Sequence, residues 1–311
     1  ELRRESKRQV GSCRVLPTRG GTIVPCYPDR MTTADDRGVT RVLSGMPATD
    51  GAGVRMTRVI ATEQLDHFDP FLLLDEFRSD DPGDYIAGFP DHPHRGFETV
   101  TYMLAGAMKH GDNKGNTGLL GPGSVQWMTA GRGIIHSEMP QQEDGLMWGF
   151  QLWVNLPAGQ KMAEPRYQDI PASDVPETRI HDNTVVRVIA GELGGVTGPV
   201  SGVATEPFYF DVRCEGPAEL RLPTPEGHNV FMYPYVGDVR VGARQGTAVQ
   251  RGNIALLGPG ASVSVACDEA ASFILVGGKP LNEPIARYGP FVMNTADEIR
   301  EAIVDFQAGR F

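Results

Sequence analysis

The chain has 311 residues, 40% hydrophobic and 22% charged, enough to bury a large core in two domains or a duplicated one. Its formal net charge of −10 argues against non-specific binding to nucleic acid or anionic membranes, and no apolar run approaches the length of a membrane-spanning helix. The four cysteines (Cys13, Cys26, Cys214, Cys267) show neither metal-ligand spacing nor a dense disulfide framework, although Cys13 and Cys26 could pair, so free thiols in a reducing cytoplasm are expected.

Residues 1–30 stand apart. Glu1 to Arg8 is a charged tract, and the segment up to Arg30 is rich in Gly, Pro and Arg without periodicity or a signal-peptide core. Met31-Thr32-Thr33 reads as a natural start, and residues 1–45 are expected to form a disordered or non-native N-terminal extension. Strand-like sequence begins at Arg55 to Ile60 and resumes at Phe71 to Phe77. A polar loop from Arg78 to Asp84 leads through Gly88 to His92-Pro93-His94. The next strand runs from Gly96 to Leu104, and simple parity puts His92, His94, Glu98, Val100 and Tyr102 on one face. Leu119-Leu120-Gly121-Pro122-Gly123 is a turn, Ser124 to Thr129 a strand carrying Trp127, and Ala130-Gly131-Arg132-Gly133 a loop before His136-Ser137-Glu138. Trp148 to Leu156 closes this half, with Pro157 stopping the strand. The 38 Gly and 24 Pro suit such a turn-rich all-β chain.

Two tripeptides carry the chemistry. His92 with His94, and His136 with Glu138, each set two metal-grade side chains at i and i+2, which on a strand share a face roughly 6–7 Å apart. Three neutral imidazoles and one carboxylate suit Fe, Mn, Ni, Cu or Zn, and an octahedral ion would keep about two open positions. A lone histidine usually bonds a backbone group, but three of the chain's 7 His fall in these tripeptides.

The second half echoes the first. Leu256-Leu257-Gly258-Pro259-Gly260 repeats the pentapeptide of the first half, and Gly237-Asp238 echoes the turn at Gly106. At the pentapeptide offset, Asn229, Phe231, Phe273 and Leu275 face the four ligand positions, and His228 is the only histidine after His181, so this half is read as scaffold. Thr295-Ala296-Asp297-Glu298 is a capping box, followed by Ile299, Ala302, Ile303 and Phe306 on one helical face and by Gly309 as a stop. That face requires a sheet to dock on.

His92 to Val100 and Gln126 to Glu138, with Gln151-Leu152-Trp153-Val154-Asn155-Leu156 and the ending from Gly289 to Phe311, strongly resemble the pirin family. The likeness spans roughly Val54 to Phe311. It implies two tandem cupin (jelly-roll type) β-barrels: residues 46–165 as the metal-binding domain, 166–290 as a metal-free one, and 291–311 as a docked helix. It also implies His92, His94, His136 and Glu138 as ligands of one divalent metal, with Fe(II) expected and Ni, Mn, Cu or Zn as alternatives. In most cupins the carboxylate ligand follows the H-x-H, which would be Glu98 here; the pirin pattern places it after the third histidine. Glu98 is expected close behind the ligands.

The resemblance further implies a quercetin 2,3-dioxygenase-type activity, with a flavonol-like substrate and O2 as partners and no direct role for nucleic acid or membrane. Glu138 is then the expected catalytic base, and Arg95, Phe89, Trp127, Met128 and Gln151 the candidates to line the pocket. The competing expectation is a non-enzymatic regulator that senses iron oxidation state and acts through protein partners. A structural zinc is a third reading, although such sites lean on cysteine.

Overall fold

The computed structural model describes residues 36–311 apart from 143, 243 and 244. Strand Phe71–Ser79 is buried at every position from Phe71 to Phe77. Strict alternation cannot produce that run; a sheet covered on both faces can. The strand lies inside a seven-stranded sheet ordered Arg166–Ile170, Val125–Thr129, Phe97–Ala105, Met147–Asn155, Phe71–Ser79, Val54–Ile60 and Met46–Asp50. A four-stranded sheet, ordered Phe89–His94, Ile134–Pro140, Met108–Asp112 and Thr117–Leu120, accompanies it to make the first barrel.

The second barrel repeats this plan. Its large sheet runs Val39–Ser44, Asn253–Leu257, Asn229–Val236, Ala271–Gly278, Phe208–Cys214, Thr184–Ala190 and Glu177–His181. Its small sheet runs Ala218–Pro223, Ser262–Cys267, Val239–Val241 and Thr247–Val249. The two large sheets pack back to back: Phe71, Tyr102, Phe150 and Leu152 of the first share one apolar cluster with Tyr209, Phe231, Tyr233 and Ile274 of the second. Phe71 meets Phe231 edge-on at 5.1 Å. Tyrosines satisfy two of the carboxylates that this interface buries. Tyr102 and Tyr235 donate to Asp211 at 2.6 and 2.5 Å, and Tyr233 donates to Glu76 at 2.6 Å. The fold is therefore two tandem cupin barrels with one C-terminal helix, as expected. No helix among the described residues is long and apolar enough to cross a membrane.

Three expectations are corrected at this level. The first concerns residues 1–45, taken as a detached extension. Residues 1–35 lie outside the described residues, but Val39–Ser44 pairs with Asn253–Leu257 as an edge strand of the second barrel. Arg37, 1% exposed, donates to Thr224 and to the carbonyls of His228, Gly258 and Pro225. This strand is exposed on most of its length, so burial left no periodic trace of it in the sequence. The second concerns the boundary at residue 165. Arg166–Ile170 pairs with Val125–Thr129 and belongs to the first barrel. Each large sheet thus takes an outer strand from chain that lies outside its expected domain.

The third correction concerns the repeated pentapeptide. Leu119-Leu120-Gly121-Pro122-Gly123 leads from a small-sheet strand into a large-sheet strand, whereas Leu256-Leu257-Gly258-Pro259-Gly260 leads from a large-sheet strand into a small-sheet one. The duplication is real in strand order, but this word is out of register with it. Asn229, Phe231, Phe273 and Leu275 are therefore not the counterparts of the ligands. His136 pairs with His92 in the first barrel, and the strands in the same places of the second small sheet, Ala218–Pro223 and Ser262–Cys267, turn Leu222 and Val263 into the barrel. Both sit in an apolar core with Val265, so the second barrel has filled its counterpart site with aliphatic side chains.

The helix forms where its caps predict, over Ala296–Gln307. Thr295 Oγ1 accepts from the Glu298 amide, and Glu298 Oε2 accepts from the Thr295 amide. Ile299 and Ala302 are buried against Phe291, Met293 and Phe311, with Ile135 of the first barrel packed alongside; Phe306 stays partly exposed. The second half of the chain thus returns to the first barrel, beside its histidines.

Candidate metal centre

His92 and His94 end the strand Phe89–His94, and His136 faces them from Ile134–Pro140, paired directly with His92. The three ring centroids stand 4.4–4.9 Å apart, and one nitrogen from each ring lies within 4.8 Å of the others. Burial, reinforced by the neighbouring imidazoles, holds His94 and His136 well below the usual histidine range, so both are neutral. Neither nitrogen of His136 has a hydrogen-bond partner, nor has Nδ1 of His94, although all are buried. His92 Nδ1 lies 2.8 Å from the Pro90 carbonyl, a contact that fixes the orientation of the ring. Neutral rings with unpartnered nitrogens converging on one point fit a divalent metal; as a purely structural cluster they would carry an unrelieved desolvation cost.

Glu138, 4% exposed, shares the cavity but stands outside that tight group of three. Burial raises its pKa, opposed by His92, Thr101 and His110. Thr101 donates to Glu138 Oε1 at 2.8 Å and also lies 2.6 Å from the Gln151 amide oxygen position. A hydroxyl has one proton to give, so the Gln151 amide is turned to present its NH2 to Thr101. Glu138 also faces His110 across the strands, and His110 in turn approaches Asp169 at 3.2 Å. Gly118 lies against that ring, with no room for a Cβ.

The parity argument for Glu98 fails. Gly96, at φ 90°, has its α-carbon packed against the Val292 carbonyl, and there the chain passes from the small sheet into the large one. The alternation resets across this step. Phe97 and Thr101 face the histidines, while Glu98 points into the interface between the barrels, where Trp127 Nε1 donates to it at 3.0 Å and Thr129 at 2.7 Å. Glu98 is a buried structural carboxylate on the far face of the sheet.

His92, His94 and Glu138 line a cavity of about 580 Å³, within the range of small-molecule sites, with His136 buried behind them. Phe89 and Gln151 line it as expected. Trp127 and Met128 are buried elsewhere, and Arg95 is structural: it pairs with Asp305 of the helix at 2.8 Å, donates to the Arg132 carbonyl and lies over the Phe311 ring. Sequence reasoning missed the rest of the wall. Trp153 packs edge-on to His94 at 5.2 Å and carries Arg287 on its other side at 4.9 Å. Arg58 grips buried Asp75 through two bonds of 2.8 and 3.0 Å. The available signal for Asp75 was the pair of charges, Asp75 and Glu76, inside the otherwise apolar run from Phe71 to Phe77.

Comparison with known proteins follows the same lines. Residues 53–154 match the family model described as Pirin, and residues 209–311 the one described as Pirin C-terminal cupin domain. A Pseudomonas aeruginosa protein provisionally named a quercetin 2,3-dioxygenase is 48% identical over 277 residues, covering 88% of this chain and 97% of that protein. Human pirin is 43% identical over 273 residues, covering 86% of this chain and 92% of that one. The crystal structure of a quercetin 2,3-dioxygenase from Acinetobacter baumannii superposes with a TM-score of 0.83 at 35% identity, covering 89% of this chain and 98% of the other.

Proposed function

The chain belongs to the pirin family, and from that premise we propose that it is a metal-dependent dioxygenase opening the heterocycle of a flavonol with O2 and expelling carbon monoxide. The observation that carries this reading is the convergence of three imidazoles, two of them neutral and with unpartnered buried nitrogens, beside a cavity that has aromatic side chains in its wall. His92, His94 and His136 would hold the ion, with Glu138 as the fourth ligand. Bound there, a divalent metal such as Fe(II) supplies Lewis acidity toward a chelating hydroxyl and a place for O2.

The remaining work falls to the protein. Trp153 and Phe89 line the cavity as aromatic surfaces on which a planar ring system can pack. Glu138 accepts the proton of the flavonol 3-hydroxyl. Thr101 fixes one carboxylate oxygen, and burial raises the carboxyl's affinity for the proton it takes. Arg287, Gly289 and Pro290, from the paired strands Ala286–Tyr288 and Phe291–Met293 and the turn between them, close one side of the cavity.

The test is metal analysis of protein purified without nickel resin, followed by an assay begun anaerobically and started with O2. Flavonol loss, O2 uptake and CO release are expected in equal amounts. A metal-loaded protein that consumes no flavonol overturns the proposal.

A further inference from the structure

Cys214 and Cys267 end two strands of the second barrel, Phe208–Cys214 in its large sheet and Ser262–Cys267 in its small one. Cys214 stands opposite Thr184 and Ala271, and Cys267 opposite Ala218. Residues 268–270 carry the chain from one sheet to the other, so the sheets converge at this corner. There the two sulfurs lie 3.7 Å apart, with both residues 3% exposed. Nothing in the metal chemistry of the first barrel uses them.

We propose that Cys214 and Cys267 are a redox modification site: a dithiol that small peroxides convert to a reversible disulfide, bonding together the two sheets of the metal-free barrel. Ordinary core packing accounts for a buried cysteine as a small hydrophobe. It does not account for two sulfurs in contact across a sheet junction with a hydroxyl aimed at one of them. Thr184 Oγ1 donates to Cys214 Sγ at 3.7 Å, and the Cys267 thiol donates to the same sulfur. Two donors on one sulfur favour its thiolate, and with them the Cys214 pKa is held down to about 7 against burial, while that of Cys267 is pushed up.

The Thr184 hydroxyl, which lies against Cys214, assigns the roles. The Cys214 thiolate attacks one peroxide oxygen; the O–O bond breaks, the departing hydroxide takes a proton and leaves as water, and Cys214 becomes a sulfenic acid. Cys267 sulfur then attacks Cys214 sulfur, its proton leaves with the sulfenic hydroxyl as a second water, and the disulfide forms. In sum, two thiols and one hydrogen peroxide give one disulfide and two waters. The sulfurs need to close from 3.7 Å to about 2.05 Å, a shift within reach of side-chain rotation at strand ends. Burial selects the oxidant by size, because a peroxide reaches sulfurs that a bulky disulfide reagent cannot.

The experiment uses the full chain with its metal, treated with hydrogen peroxide, alkylated, digested without reduction and read by mass spectrometry. The expected product is a peptide pair joined through Cys214 and Cys267, in a protein that remains monomeric by the cross-link and returns to two thiols with dithiothreitol. The oxidised form should also melt several degrees higher, since the bond closes a loop of more than 50 residues. In Cys267→Ser the cross-link is lost, and Cys214 is trapped as the sulfenic acid when the oxidised protein is unfolded in the presence of a dimedone-type reagent. Complete alkylation of both cysteines after peroxide, or cross-links made only to Cys13 or Cys26, overturns the proposal. The wild-type digest decides this even if the serine variant does not fold, and it does so whatever the outcome of the flavonol assay.

Discussion

Glu138→Gln separates the two duties given to this residue. The substitution keeps the shape and an oxygen that can still accept from Thr101, now at 2.8 Å, while removing the basic carboxylate. It also removes a buried charge whose ionisation burial already disfavours, so the fold should not weaken. Proton abstraction by a positioned side chain contributes about 100- to 10,000-fold, and we predict a loss of that size in turnover per bound metal. The deficit should shrink at high pH, where the flavonol ionises unaided and needs no base. The assay is metal-normalised flavonol consumption for both proteins across pH. Equal rates per bound metal at every pH would show that Glu138 is not the base. Negligible turnover in the wild type itself would favour the regulatory alternative, whose signature is partner affinity that responds to dithionite in the iron form and not in a zinc-substituted one.

Four further outcomes are expected. His94→Ala should lower metal content from one ion per chain to a small fraction, read by elemental analysis; full retention would refute the site as drawn. Tyr102→Phe should cost about 1–3 kcal/mol in urea unfolding, because Asp211 is fully buried and loses one of its donors, while metal content stays unchanged. Removing residues 1–30 should leave folding and metal content intact, whereas removing residues 1–45 should lower the melting temperature by stripping Arg37 and an edge strand from the second barrel. Gly96→Ala should yield little folded protein, since φ 90° and the Val292 carbonyl both exclude a β-carbon, and a normal melting curve would contradict that.

What the sequence disclosed depended on whether the signal was local. The two tripeptides and the capping box of the helix are encoded within a turn or a few residues, and the structure carries all of them. Glu98 was misplaced because parity was carried through Gly96, where the chain changes sheets and alternation starts afresh. Val39–Ser44 left no mark because its partner strand begins at Asn253, and an exposed edge strand has no buried face to advertise. The pentapeptide misled for a different reason: Leu-Leu-Gly-Pro-Gly specifies a strand end and a turn, and barrels contain many such corners. Arg287, Arg58 and Asp75 converge on the cavity from three distant segments, so only the fold brings them together.

The second barrel is more than a copy of the first. Strand Phe97–Ala105 presents consecutive residues to opposite faces: Thr101 holds Glu138 in the cavity, while Tyr102 is held from behind by Asp211 and Arg213 of the second barrel. Fixing the back of this strand fixes its front, so the second barrel positions a metal-site residue without touching the metal. The same half of the chain then completes the mouth. Val292 donates to the Arg95 carbonyl at 3.0 Å, Arg95 donates to Pro290, and Arg287 covers Trp153. Each of these contacts joins residues about 130–200 positions apart in sequence, so the first barrel alone would carry the histidines and lack both the backing of Tyr102 and one wall of its cavity. The interior of the second barrel is packed with apolar side chains, and its large sheet is the support against which the sheet behind the histidines is built.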